Sequence, residues 1–493
     1  MKTKMAILCW LFVLTCNAQI VPISSPGLKF WIINSTVENA RAKDLTGNWT
    51  NIDQNNDGEL QVSEAQRISY FKDFNGQSSD YSCLQSFSNL EELNCQGNNW
   101  TIEMNLSNLI HLKKLTLNNN NTTALNISGC VNLEELIVNH NVLGTLNLSG
   151  LSQLTHLECA YNYLTALNLT PTPNLNYLDC SNNGLYALSL NNLPGLVFLA
   201  CGQNSISNLN LNNNANLTSL RCDANYLNAL NLNNQPLLEF LSCGQNSLGT
   251  LNLSNCPNLK TLNCMYAQLG TLNTSNLTQL EYLYCNHNLI NQLDLTHNTQ
   301  LKTLWCHNNG FSASPLILDH QPLLETLFCQ QNSITALDVS LCTNLTALYC
   351  YDNYNLVALN MNNGFDWNPI LNFSGANLPH IQEICTSSNS VPAIQGFYNV
   401  NGVFPSVSNC NNLNTTEPGI ISANLTFSPN PASTEITFSS SVDTVFLYDI
   451  HGRWIKKELI NGTKMDISSI DSGVYLLKMY TADKIYSSKL IVK

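Results

Sequence analysis

Charge is scarce in this chain of 493 residues: Asp, Glu, Lys and Arg together make up only 11%. The 33 acidic residues outnumber the 20 basic ones, which leaves a net charge of −13. Nucleic-acid and anionic-membrane surfaces need clustered Lys and Arg, so that balance argues against both. Long apolar runs are missing as well. The run Met5 to Leu14 is too short to span a bilayer, and no later segment is long and apolar enough. The chain has 19 Cys yet no C-x-x-C pair, which removes the usual thiol arrangement for metal or redox work. Converging acids, bases and nucleophiles are also absent: Glu158, Asp179, Arg221 and Asp223 are spread along the sequence with no motif linking them.

What is present begins with a sorting signal. Lys2 and Lys4 precede the apolar run, and small Ala18 offers a cleavage point before Gln19. Residues 1–18 therefore read as a signal peptide. Attachment through a lipidated Cys16 is the alternative, although Val13-Leu14-Thr15 is a poor approach to such a cysteine.

The body of the chain is periodic. "LTHLECAYNYLTALNL" starts at Leu154, "LNYLDCSNNGLYALSL" at Leu175 and "LVFLACGQNSISNLNL" at Leu196, a period of 21 residues. The pattern L-x-x-L-x-C-x-x-N-x-L-x-x-L-x-L occurs 13 times between Leu90 and the repeat that starts at Leu345. L-x-C alternates as a strand with one buried face does. The Asn three positions after the Cys marks a turn whose buried backbone groups must be satisfied. Ala267 breaks that column, so a local irregularity is expected there. These residues resemble the leucine-rich repeat family over about residues 84–363. The resemblance implies a solenoid with a parallel sheet on its concave side and extended or 3₁₀ turns on the convex side.

Most cysteines fall in the repeat. Cys159, Cys180, Cys201 and Cys222 recur in one column, where Leu117 and Val138 substitute. Replacement by Leu and Val identifies a buried apolar slot, so a ladder of free thiols is expected. Cys385 and Cys410 lie outside it, and a bridge between them is a possible disulfide.

"DQNNDGELQVSE", Asp53 to Glu64, has the spacing of a calcium loop. Asp53, Asn55, Asp57, the Glu59 carbonyl, Gln61 and Glu64 supply hard oxygens at alternating positions, and Gly58 takes the sharp turn. It resembles a single EF-hand or dockerin-like loop. Ser63 to Phe74 is the expected exit helix and Leu28 to Ala42 the entering one. The loop stands alone in the chain and precedes the first repeat, so one structural Ca²⁺ fastening a helical cap at residues 19–83 is the expected role.

Residues 364–418 read as an irregular cap and linker. From 419 to 493 the sequence is β-rich, with turns at His451-Gly452 and Asp471-Ser472-Gly473, which suggests a small β-sandwich. Its motifs are Ser428-Pro429-Asn430-Pro431, Asp449 to Arg453, Gly473-Val474-Tyr475 and a terminal "KLIVK". They resemble the type A C-terminal sorting domain of type IX secretion. That resemblance implies a Bacteroidetes-type bacterium and a destination outside the cell or on the outer-membrane surface.

In such a solenoid the exposed concave positions are C−3, C−1, C+1 and C+2 relative to the Cys column. At C−1, Tyr284, Trp305, Phe328 and Tyr349 follow one another, with Tyr282 and Tyr351 beside them. Clustered exposed aromatics favour a protein or carbohydrate ligand. Mutual stacking along the strands is the competing explanation. The expectation is a monomeric, non-enzymatic surface binding protein serving adhesion or recognition. The alternatives are an architectural surface protein without a ligand, and a hydrolase whose site the motifs do not reveal.

Overall fold

The computed structural model of the protein describes residues 19–73, 80–98, 103–311, 316–400, 403, 405–409, 425–449, 454–481 and 485–493. The chain divides into two compact units, residues 1–227 and 228–493. The expected signal peptide lies outside the described residues.

In the first unit, helix Pro26–Ile33 starts at Ser25, whose side chain accepts from the Leu28 N–H, and it buries Leu28 and Ile32. It is shorter than the expected entering helix. The expected exit helix is also corrected. Only Val62–Ala65 is helical, and Ile68–Lys72 is a strand. That strand pairs antiparallel with Ala42–Asp44 and parallel with Glu92–Asn94. An uncovered solenoid end would leave a row of unpaired backbone groups, and β-branched Ile68 with aromatic Tyr70 and Phe71 suits a strand that covers it.

The repeats then form three-residue parallel strands, from Glu92–Asn94 through Ser219–Arg221. Their central leucines stay in register, Leu157 opposite Leu178 and Leu178 opposite Leu199. Cys159, Cys180, Cys201 and Cys222 follow the strands with no exposure. All described cysteines except Cys385 are free and buried. Burial pushes the Cys201 and Cys285 thiols up to about 12, so these groups behave as small hydrophobes.

The turn after each Cys explains the Asn. Asn162 donates to the carbonyls of Val138 (2.9 Å) and Cys159 (3.2 Å) and accepts from the Leu143 N–H (3.0 Å). Asn183 repeats this one coil later, to Cys159, Cys180 and Leu164. The turn forces C+2 residues into the left-handed region: φ is +53° at His140, +55° at Tyr161 and +54° at Gln203. Non-glycine residues rarely adopt it, and the side-chain amide bonds hold it in place.

The second unit builds the same kind of coil from Phe240–Ser242 to Ala347–Tyr349 and on to Phe373–Ser374, past the expected end at 363. The expected irregularity at Ala267 is present. Gln268 joins Tyr266 at positive φ, +58° and +55°, and Asn288 of the next coil caps the Ala267 N–H. The cap is more regular than expected. Ala336–Asp338, Ala358–Asn360, Glu383–Cys385 and Ser406–Ser408 form a second parallel sheet on the return side, beside helix Val391–Val400. Cys385 is disulfide-bonded, and Cys410 lies outside the described residues.

The C-terminal strands form one hydrogen-bonded five-stranded antiparallel sheet. The 15-residue strand Glu435–Asp449 pairs with Trp454–Asp466 through several register shifts. Bulges of this kind bend a long strand. Its core is Ile436, Val442, Val445, Leu447, Met465 and Leu477.

Candidate functional site

Strand alternation turns the central Leu inward and the residues on either side outward. In the second unit this aligns Tyr284 with Trp305, Trp305 with Phe328, and Phe328 with Tyr349. All four rings are half-buried. Trp305 and Phe328 stack with centroids 5.0 Å apart and planes 3° apart. Phe328 and Tyr349 are 4.4 Å apart and tilted by 56°, while Tyr284 stands at 88° to Trp305. The Trp305 indole Nε1 is buried with no hydrogen-bond partner.

Tyr282 occupies the neighbouring C−3 row, opposite Thr261 and Thr303. The C−3 row over these coils reads Tyr282, Thr303, Thr326 and Ala347, so neither concave row carries a charge there. Charge returns one position further back, where Glu281 and Lys302 pair at 2.6 Å. Tyr351 lies at C+1. That row is less exposed than expected: Asn286 and Gln330 are buried and His307 is half-buried. His287 and His307 meet edge to face at 5.1 Å. Burial, and then His287, holds His307 down to about 4, so it is neutral at pH 7. Among the described residues no group of three or more His, Cys, Asp or Glu is arranged to hold a metal.

In the first unit the same rows have a different chemistry. Glu158 accepts from Asn139 and sits 2.9 Å from His156 Nε2. Asp179 accepts from the Ser181 hydroxyl at 2.6 Å. An aromatic stack stands at C−3, with His156–Tyr177 at 4.1 Å and Tyr177–Phe198 at 4.2 Å, planes within 8°. The Arg221 guanidinium lies 5.8 Å from the Phe198 ring. Reading only the C−1 column for aromatics missed this stack. The signal was available in the C−3 column, where His, Tyr and Phe fall in consecutive coils.

The loop Asp53 to Glu64 closes on itself. Gly58, at φ +79°, donates to Asp53 Oδ2 (3.0 Å), and the Glu59 N–H donates to Asp57 Oδ1 (2.9 Å). Glu64 accepts from the Gln54 N–H (2.7 Å) and the Gln61 N–H (2.9 Å). The Asn55 and Gln61 amides bracket Asp57 Oδ2 at 2.9 and 2.8 Å. Leu60 is fully buried, and its carbonyl accepts from the Val21 N–H. Asp53 is 3% exposed, and its second oxygen, Oδ1, has no hydrogen-bond partner. A buried carboxylate oxygen without a partner is costly, and a hard cation would satisfy it.

Residues 426–493 match the secretion system C-terminal sorting domain family. That tail marks the chain for secretion or the outer-membrane cell surface. No described helix is long and apolar enough to cross a membrane. No curated protein matches the sequence. Among solved structures, the functional domain of InlJ from Listeria monocytogenes, which includes a cysteine ladder, is similar at TM-score 0.55 and 20% identity, over 97% of this chain and 100% of that one. The internalin InlF from the same organism is similar at TM-score 0.51 and 20% identity, over 75% of this chain and 98% of that one. The Arabidopsis receptor kinase HAESA, solved with the peptide hormone IDA and the co-receptor SERK1, reaches TM-score 0.51 at 20% identity, over 69% and 61%. At such identities the likeness establishes the leucine-rich repeat solenoid and nothing finer.

Proposed function

We propose that this is an exported, non-catalytic recognition protein whose concave face binds a protein ligand through Tyr284, Trp305, Phe328 and Tyr349. The observation that carries the reading is the unbroken row of four half-buried rings in consecutive coils, in a band without charge. Such a band resembles the core of a protein interface more than the rest of a surface. Between protein and carbohydrate, ring geometry favours protein. Sugars lie on open ring faces, whereas Trp305 and Phe328 spend their faces on each other, and the Trp305 N–H is shut away from any hydroxyl.

The same stacking supports one second reading, an architectural protein whose rings merely brace the strands. Protein and glycan arrays separate the two. Wild type binds a protein and Trp305→Ala loses it under the recognition reading, whereas no binding to any array member sinks that reading.

The loop Asp53 to Glu64 is proposed to hold one structural Ca²⁺. Asp53, Asp57 and Glu64 are not gathered around one point, and what supports the reading is donor chemistry: hard oxygens from Asp53, Asn55, Asp57, the Glu59 carbonyl, Gln61 and Glu64 at calcium-loop spacing, with the orphaned Asp53 Oδ1 among them. Bound there, the ion supplies cross-linking charge, and it fastens the segment that covers the first coil. Melting with and without a chelator tests this.

A further inference from the structure

The sorting sheet is covered on both sides. Alternation along Glu435–Asp449 sends Val445 and Leu447 into the domain's own core, with Leu477 and Met479 of the neighbouring strand. Phe446 and Tyr448 point the other way, where a lone small sheet of this kind would meet water. Yet they are 0% and 8% exposed. They pack, with Leu476 and Tyr480, against Ala358 and Val357 of the repeat array. Tyr448 also closes a small cleft with Ala336, Leu337, Leu359 and Glu383.

At the centre is a carboxylate. Glu383 belongs to the return-side sheet and is 4% exposed. It accepts from the Tyr448 hydroxyl at 2.7 Å and the Tyr480 hydroxyl at 3.0 Å, and it pairs with the Lys478 ammonium. All three partners come from the sorting sheet. A buried carboxylate stripped of such partners is strongly unfavourable. Within its own coil Glu383 therefore has no reason to be acidic, and the acid makes sense only if the sorting sheet is seated on it.

We propose that the return-side strands Ala336–Asp338, Ala358–Asn360 and Glu383–Cys385 are a receptor face for the chain's own sorting domain. Phe446, Tyr448, Leu476, Lys478 and Tyr480 form the complementary face. Seated there, the domain is held by more than the connecting residues 410–424, and its outward face is hidden. Any component of the secretion apparatus that reads that face has to displace it from Glu383 first. A cut within 410–424 leaves the domain associated without a covalent link.

The test uses the full chain with a protease site placed within residues 411–424. After cutting, the sorting domain co-elutes with the array on size exclusion at micromolar concentration. Glu383→Ala weakens the association by at least about a hundredfold, the loss that follows from orphaning a buried ion pair, and the two fragments separate. Tyr448→Phe/Tyr480→Phe/Lys478→Ala, made on the other side, separates them as well. That triple variant leaves Glu383 and its coil intact, so it excludes damage to the array as the cause. Separation of the cut wild-type fragments at the same concentration overturns the proposal. So does co-elution of both variants with wild-type affinity.

Discussion

The two units build one kind of coil and dress it differently. In residues 92–221 the concave rows carry Glu92, Lys114, Glu135, Glu158, Asp179 and Arg221; Lys114 pairs with Glu135 across strands, and Glu158 pairs with His156 within its own strand. In residues 282–349 the same rows are Tyr, Thr, Trp, Phe and Ala, without a charge. Behind both faces stand the same columns of leucine, thiol and asparagine, broken only by Leu117 and Val138 in the thiol column and Ala267 in the asparagine column. The scaffold positions are dictated by burial and backbone satisfaction, which are the same in every coil. The concave positions are free of that demand, so they are where function can be written. An apolar band on one stretch and a charged surface on the other is the contrast that supports the proposed ligand site on the aromatic coils.

Shared scaffold and divergent faces can be broken apart by mutation. The largest effect belongs to the scaffold. Asn162→Ala in the first unit and Asn309→Ala in the second each orphan a backbone N–H and strip one of two side-chain donors from two carbonyls, which keep only the bond from a neighbouring Asn of the ladder. Each is expected to cost about 3 kcal/mol in urea unfolding. Unequal losses, one near zero, break the claim of one scaffold. Next come the faces. Tyr284→Ala with Trp305→Ala is expected to cut affinity for a bound protein by about 2–4 kcal/mol. Glu158→Gln is expected to change it by less than about 0.5 kcal/mol, as surface substitutions away from a hot spot do. Equal losses would erase the contrast.

The proposed calcium site belongs to the first unit. A chelator is expected to lower melting by a few degrees, the scale of about 1–3 kcal/mol of ligand linkage, and Asp53→Asn to remove that response. Calorimetry with and without the chelator reads both. The smallest effect is titration. His307 is held below its ordinary value, so its unfolded form takes up a proton first. Stability from this group is complete above the ordinary histidine range and is lost as pH falls from about 6.5 toward 4. His307→Gln should flatten that part of the melting profile. Glu158 is held low by its hydrogen bond from His156, then by Asn139, so its contribution is lost only at more acid pH, through the carboxylate range.

The scaffold was legible because a period repeats its own evidence. Substitution of Leu and Val for Cys declared the slot buried, and Ala267 marked the irregular turn. Ser63 to Phe74 was misread because helix periodicity places Ile68 and Phe71 on one face, while a strand capping the solenoid end buries the same two residues. Local pattern could not choose between them, since the deciding term is the unpaired edge of the next coil. The C+2 backbone conformation left no mark in residue type: His, Tyr, Asn, Gln and Ala all occupy it. Glu383 was invisible for another reason. Its partners are 65 and more residues away, and no spacing rule reaches that far. The aromatic row could be read, but whether its rings offer faces or edges to a ligand is a matter of interplanar angle.

Hydrogen exchange of the full chain, alone and with a bound protein from the array, tests the central claim most directly. Protection is expected in Tyr282–Tyr284, Thr303–Trp305, Thr326–Phe328, Ala347–Tyr349 and the turns that follow them, with His156–Glu158 and Tyr177–Asp179 unchanged. Protection confined to the charged coils of the first unit would contradict it.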